Sequence, residues 1–263
     1  MGRKPRWVRK NISSTIVEFQ LTSWKYFSDF INQELLNATN YFFRGHGDSK
    51  WKLEPTLDRI IKEPESIKRE LLLNKFKFET RGRRGKNPSK LISENDWWAL
   101  GQHHGLATPL LDWTESPFVA LYFAAHTALN STSDAFAVYA LASSAIEKRS
   151  KVIKNDESID FINKRKPTTK IIRPFSDENE RLVSQRGLFT RSPNNMDIER
   201  WIKTYETKDS GNFIELAKFI IPNKNIHDCL KYLNRMNINH STLFPDLSGA
   251  SQYCNMHLNI QTY

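Results

Sequence analysis

Residues 101–125 constrain this chain more than any other stretch, because they set polar, titratable and glycine residues directly against a run almost devoid of polar side chains. Ser116 suits a helix N-cap, and Pro117 suits the first turn, where its missing N–H would have no partner in any helix. From Phe118 to Ala125 that helix is apolar on nearly every side, so it is expected to be buried all round. A short strand over residues 109–113 and a turn lead into it. His103, His104, Thr108, Asp112, Trp113 and Thr114 crowd the approach. Polar groups fixed at the mouth of a rigid buried element are where a site is to be sought.

The 263 residues can bury roughly three quarters of their unfolded surface, so the fold needs no covalent staples. The net charge of +10 suits polyanionic partners such as nucleic acid, nucleotide phosphates or an anionic surface, or else simply keeps a basic protein soluble. Cys229 and Cys254 stand in no metal-ligand or redox spacing and read as inert thiols of a reducing compartment. No run reaches the roughly 20 apolar residues of a membrane span, and the basic N-terminus lacks a signal-peptide core. A cytoplasmic protein without membrane contact is expected.

Along the chain, the first ten residues read as a loose basic arm, with 1–18 set apart from a single domain over 19–263. Helices are expected over 23–36, 66–78 and 225–236. In the last, Ile226, Cys229, Leu230 and Leu233 recur at helical spacing. Ser93 and Asp96 resemble a capping box for a helix ending at Gly105. Strands are expected at 41–43, 135–141 and 213–221, and residues 243–249 read as a turn-rich close. Short strands alternating irregularly with helices argue an α+β fold: a short-stranded split sheet flanked by helices.

Several residues are candidates for chemistry. Arg44, leaving an aromatic strand beside Gly45, could offer its guanidinium fork to a phosphate while the glycine admits a ligand to the backbone; a buried salt bridge to Asp112 or Glu180 is the alternative. Adjacent His103 and His104 diverge by about 100° on a helix, which makes them a poor metal pair, and no third ligand has zinc spacing. Asp112, between Leu111 and Trp113, reads as a buried carboxylate needing a partner. On a strand Glu178 and Glu180 would share a face and could stabilise positive charge, or they form a solvated turn. The basic run 81–86 reads as a solvated loop or a phosphate clamp. No nucleophile elbow, P-loop or dinucleotide fingerprint is present.

Four blocks, Phe43-Arg44-Gly45, the stretch from Gly101 to Ala124, Asn179-Glu180-Arg181 through Gln185-x-Gly187-Leu188-Phe189, and Thr242-Leu243-Phe244-Pro245-Asp246 through Gly249, resemble the FRG domain. Their order also resembles, more weakly, the ADP-ribosyltransferase fold. There an aromatic-Arg strand holds NAD, a second strand leads into an Ala-rich helix, and a late strand supplies a glutamate. Here the second strand reads Thr-Pro-Leu-Leu-Asp-Trp-Thr rather than Ser-Thr-Ser. The resemblance implies NAD between Arg44-Gly45 and the Asp112–Thr114 turn. Glu180, Arg44 and Asp112 would act in catalysis. His104, Thr108, Trp113, Thr114, Gln185 and Phe189 would contact the dinucleotide. It implies transfer of ADP-ribose to nucleic acid or protein, as a toxin or phage-defence effector held by a neutralising partner protein. A non-catalytic nucleotide- or nucleic-acid-binding module is the alternative expectation.

Overall fold

The computed structural model describes residues 5–86, 88, 90–174, 180–206 and 213–263. The chain opens with β1 (Trp7–Asn11) and β2 (Ile16–Leu21), an antiparallel pair, so the expected loose arm is a strand from Trp7 onward. Trp7 is what fixes it, because the indole packs edge-on against Phe30 at 5.2 Å. Next come α1 (Lys25–Phe30), continued by a π-helical turn over Ile31–Leu35, and β3 (Tyr41–His46). Three helices follow: α2 (Thr56–Ile60), α3 (Lys68–Glu79) and α4 (Glu94–His103). Then come β4 (Leu111–Thr114), α5 (Pro117–Ala128), β5 (Ala135–Ala142), α6 (Ser143–Asn155) and β6 (Lys170–Ile172). The last third holds α7 (Glu180–Ser184), β7 (Gly187–Arg191), α8 (Ile198–Thr204), β8 (Leu216–Pro222) and the helices α9 (Ile226–Arg235), α10 (His240–Leu243) and α11 (Leu247–Asn259).

The strands form one open mixed sheet in the order β1-β2-β8-β5-β3-β4-β7-β6, in which, among the described residues, only β2 and β8 run parallel. This is the expected α+β architecture, but the sheet is one where a split sheet was expected, because the Phe43–Thr114 pair joins β3 to β4. One face carries α1, α5 and α9 over Phe19, Phe43, Phe136 and Phe219; the other carries α6 and α8, with Trp201 of α8, over Phe42, Trp113 and Tyr139. A third cluster, Leu57, Leu73, Trp98, Leu110 and Phe189, joins α2, α3 and α4 to β7.

Local chemistry accounts for the caps. Ser116 accepts from Val119 N at 3.3 Å with Pro117 at the first turn, and Ser93 and Asp96 make the reciprocal capping box. Helix α4 stops at Gly105, whose φ of +84° suits a residue without Cβ. In α3 the face expected to be buried is wrong: Ile67, Leu71 and Phe78 are exposed, while Leu73 and Arg69 go inside. Arg69 is held there by Asp58 Oδ1 at 2.7 Å, Ile61 O at 2.9 Å and Asn195 Oδ1 at 2.8 Å, so a charged side chain, not an aliphatic row, pins α3 to α2. The expected turn-rich close keeps its turn at 244–246, between the end of α10 at Leu243 and the start of α11 at Leu247, and Asp246 caps α11 by accepting from Gly249 N at 2.8 Å. Cys229 is fully buried, which pushes its thiol up to about 12. No helix among the described residues is long and apolar enough to cross a membrane.

Candidate functional site

Strand β3 alternates between the two faces of the sheet. Phe43 faces α5, and Gly45 and Gly47 follow it there. Phe42 faces the α6 side, and Arg44 and His46 follow. A Cβ on Gly45 would lie 2.1 Å from Ala120 O and 2.5 Å from Ala124 N; one on Gly47 would lie 2.7 Å from Thr127 Cγ2. The glycines therefore admit helix α5, whose Ala120, Ala124 and Thr127 form the matching stripe. The expectation that Gly45 opens the backbone to a ligand is corrected: a helix already occupies that space.

On the other face Arg44 reaches β4. The two strands pair only at Phe43 and Thr114. Beyond that pair, Arg44 Nη1 donates to Asp112 O at 2.7 Å and lies 3.5 Å from Asp112 Oδ2. A side chain thus bridges the strands where the backbone ladder has stopped. Asp112 is not the buried carboxylate expected: its side chain is 52% exposed, against 21% for Arg44. Gln102 Nε2, from the last turn of α4, donates to Asp112 Oδ2 at 2.8 Å, and Thr108 Oγ1 donates to Gln102 Oε1. The result is a half-exposed carboxylate held by an amide and a guanidinium at the seam of the sheet. Burial lowers the Arg44 pKa and Asp112 pulls it back up.

Arg44 Nε donates to His46 Nε2 at 3.0 Å, which places the ring's own proton on Nδ1. His46 packs edge-on against Tyr139 at 5.2 Å. Burial and the adjacent Arg44 charge push its pKa down to about 3. The sign for stability follows. An unfolded histidine takes a proton near its ordinary value of 6.5, whereas the folded one stays neutral to about pH 3. Between those values the unfolded chain binds more protons, so stability is full above pH 6.5 and falls as pH drops through the window. His240, pushed down to about 4, and His126, also lowered by burial, act in the same direction. His46→Gln is expected to make the loss shallower by up to about 1.4 kcal/mol per pH unit. Urea midpoints from pH 7 to 4 read this directly, and an unchanged slope would contradict it.

The other candidates are placed as follows. Thr108 is buried, and its Oγ1 also accepts from Leu110 N at 3.2 Å. Trp113 is buried with Nε1 donating to Thr190 Oγ1 at 2.8 Å, and Phe189 lies in the cluster with Trp98. Neither ring is free to stack on a ligand. Thr114 Oγ1 donates to Gln185 O at 2.7 Å, and Gln185 Nε2 donates to Leu243 O at 3.0 Å; both side chains tie elements together. His104 is exposed at the C-cap of α4, its ring edge-on to His103 at 4.7 Å. Glu180, expected on a strand, instead starts the five-residue α7 and is exposed, while β7 begins only at Gly187. Glu178 and Asn179 lie outside the described residues.

Arg44 and Asp112 are thus brought together, but at a surface. The cavities of about 1240 Å3 and 580 Å3 are lined by neither residue. Gln102 and His46 join the site without having been expected there. For His46 the sequence does carry a signal, since residues two apart on a strand share a face, but ending the strand at Phe43 hides it. For Gln102 there is none, because its contact with Asp112 depends on where α4 docks. Among the described residues no group of His, Cys, Asp and Glu is placed to hold a metal.

The family model described as the FRG domain matches residues 39–133. That window contains Arg44, Gln102 and Asp112, with β3, β4 and α5; the blocks at 179–189 and 242–249 lie beyond it. No curated protein and no solved structure matches the chain.

Proposed function

The chain is an FRG-domain protein, and from that premise we propose that it is an ADP-ribosyltransferase-like enzyme using NAD as substrate at the β3–β4 seam. The observation that carries this reading is Asp112, a half-exposed carboxylate held by Gln102 and Arg44 where the two strands part. Arg44 pairs the diphosphate with the donors that Asp112 and His46 leave over. His104, exposed at the C-cap of α4 two residues after Gln102, meets the ribose or nicotinamide. In the reaction the bond between ribose C1′ and the nicotinamide nitrogen breaks, and nicotinamide leaves neutral with the electron pair. The acceptor's nucleophile bonds C1′ and releases its proton to solvent. The ring becomes cationic before the new bond forms, and a fixed anion beside it lowers that barrier. Asp112 takes this role, and Glu180, exposed on α7, does not. Nucleic acid and protein are the acceptor classes.

The test is nicotinamide release from NAD by the purified chain, with and without candidate acceptors. Release lowered about 10²–10³-fold in Asp112→Asn supports the reading. No release with any acceptor rejects it, and leaves the second reading, a non-catalytic nucleotide-binding module. The net charge of +10, which suits a phosphate-bearing partner without requiring any chemistry, favours that second reading.

A further inference from the structure

The cavity of about 1240 Å3 is a groove between α3 and the segment that joins α6 to β6. Eight basic and three acidic residues line it, an excess that accounts for a large part of the chain's charge imbalance. Arg69 and Arg191 are committed to Asp58 and Glu94. Lys154, Lys164 and Lys170 are exposed and have no ion pair among the described residues.

The groove's basic wall is built rather than loose. Asn163 and Lys164 have φ of 53° and 60°, and Ile162 pairs with Arg165 across them, so a two-residue hairpin turn carries Lys164 at its tip. Asn163 Nδ2 anchors that turn to Pro64 O at 3.1 Å, while its Oδ1 is buried without a partner among the described residues. Phe161, beside the turn, is 65% exposed, with Lys166 Nζ 5.1 Å from its ring centre. At the other end of α3, Phe78 is exposed with the Arg81 guanidinium 3.6 Å from its ring centre.

We propose that this groove binds single-stranded nucleic acid, with phosphates on Lys154, Lys164 and Lys170 and a base against Phe161. Phe161 does not line the groove but directly precedes Ile162, which does; a basic track with an exposed ring next to its lining is what a strand with unstacked bases needs, and duplex bases are not available to such a ring. A bilayer surface cannot follow a concave floor. Trp98 in the groove and Gln102 at the seam are four residues apart on α4, about one turn, so one helix borders both places. Binding is measured without NAD and therefore stands or falls apart from the NAD reading.

The experiment is fluorescence anisotropy of labelled single-stranded RNA and DNA oligonucleotides with the full chain across a salt series. Affinity is expected to fall steeply with salt. Lys154→Glu/Lys170→Glu is expected to weaken binding by about tenfold or more and to flatten the salt slope by roughly 0.7 for each phosphate no longer neutralised. Lys224→Glu/Arg235→Glu, on α9 and the turn before it, changes net charge equally and is expected to leave binding unchanged. Phe161→Ala, at an exposed position the fold tolerates, is expected to cost about fivefold or more. No binding at low salt, equal weakening by both double variants, or displacement of the oligonucleotide by anionic vesicles or an acidic peptide would overturn the proposal.

Discussion

Alanine at position 45 is expected to cost the fold several kcal/mol and to leave little native protein at physiological temperature. The added Cβ would sit 2.1 Å from Ala120 O and 2.5 Å from Ala124 N, both main-chain atoms of the buried helix α5. A flexible side chain could swing away; a helix backbone sealed between the sheet and α9 cannot. Overpacking of this kind costs about 1–3 kcal/mol even where side chains give way, and domains of this size have only about 5–15 kcal/mol in hand. Gly47→Ala is expected to be milder, since its added Cβ would lie 2.7 Å from Thr127 Cγ2 and 2.8 Å from the Thr127 main-chain carbon, against 2.1 Å from Ala120 O at position 45. Denaturant midpoints of the two variants order them. A wild-type midpoint for Gly45→Ala would mean that α5 does not lie against β3 as described.

The second large effect is on chemistry. Asp112→Asn is expected to lower nicotinamide release about 10²–10³-fold while NAD still binds. The substitution isolates the charge because Arg44 is held mainly by the Asp112 main-chain oxygen at 2.7 Å, and only at 3.5 Å by the carboxylate. Asparagine keeps the first contact and can still accept from Gln102. Arg44→Ala is expected instead to weaken NAD binding, and Glu180→Gln to change neither. Rates and NAD affinities measured side by side separate the three. Equal losses in Asp112→Asn and Glu180→Gln would return the catalytic role to α7.

How much of this can be read from the sequence depends on whether the signal is local. The N-cap at Ser116, the capping box at Ser93 and the helix stop at Gly105 are set by a few adjacent residues, and all three are present in the fold. The Phe118–Ala125 run is apolar all round and is buried as expected, except that Phe118 and Phe123 keep partial exposure. Where a tertiary contact decides, the pattern misleads. Arg69 is inside α3 because Asp58 and Asn195 meet it there, which no spacing within α3 announces. Glycine beside arginine suggests room for a ligand; the same absence of a Cβ equally admits a helix, and the sheet face decides which. Arg44 and Asp112 are legible as a pair because the candidates for an arginine leaving a buried strand are few. The exposure of Asp112 is not, since a carboxylate flanked by Leu111 and Trp113 looks interior until the strand's alternation is assigned to faces.

The claim that the β3–β4 seam is where the protein meets its nucleotide is tested most directly by a crystal structure with a non-cleavable NAD analogue bound. The account predicts the diphosphate within hydrogen-bonding distance of the Arg44 guanidinium, with the nicotinamide-side ribose beside the Asp112 carboxylate. An analogue seated elsewhere, with Arg44 still closed onto Asp112 and His46, would contradict it.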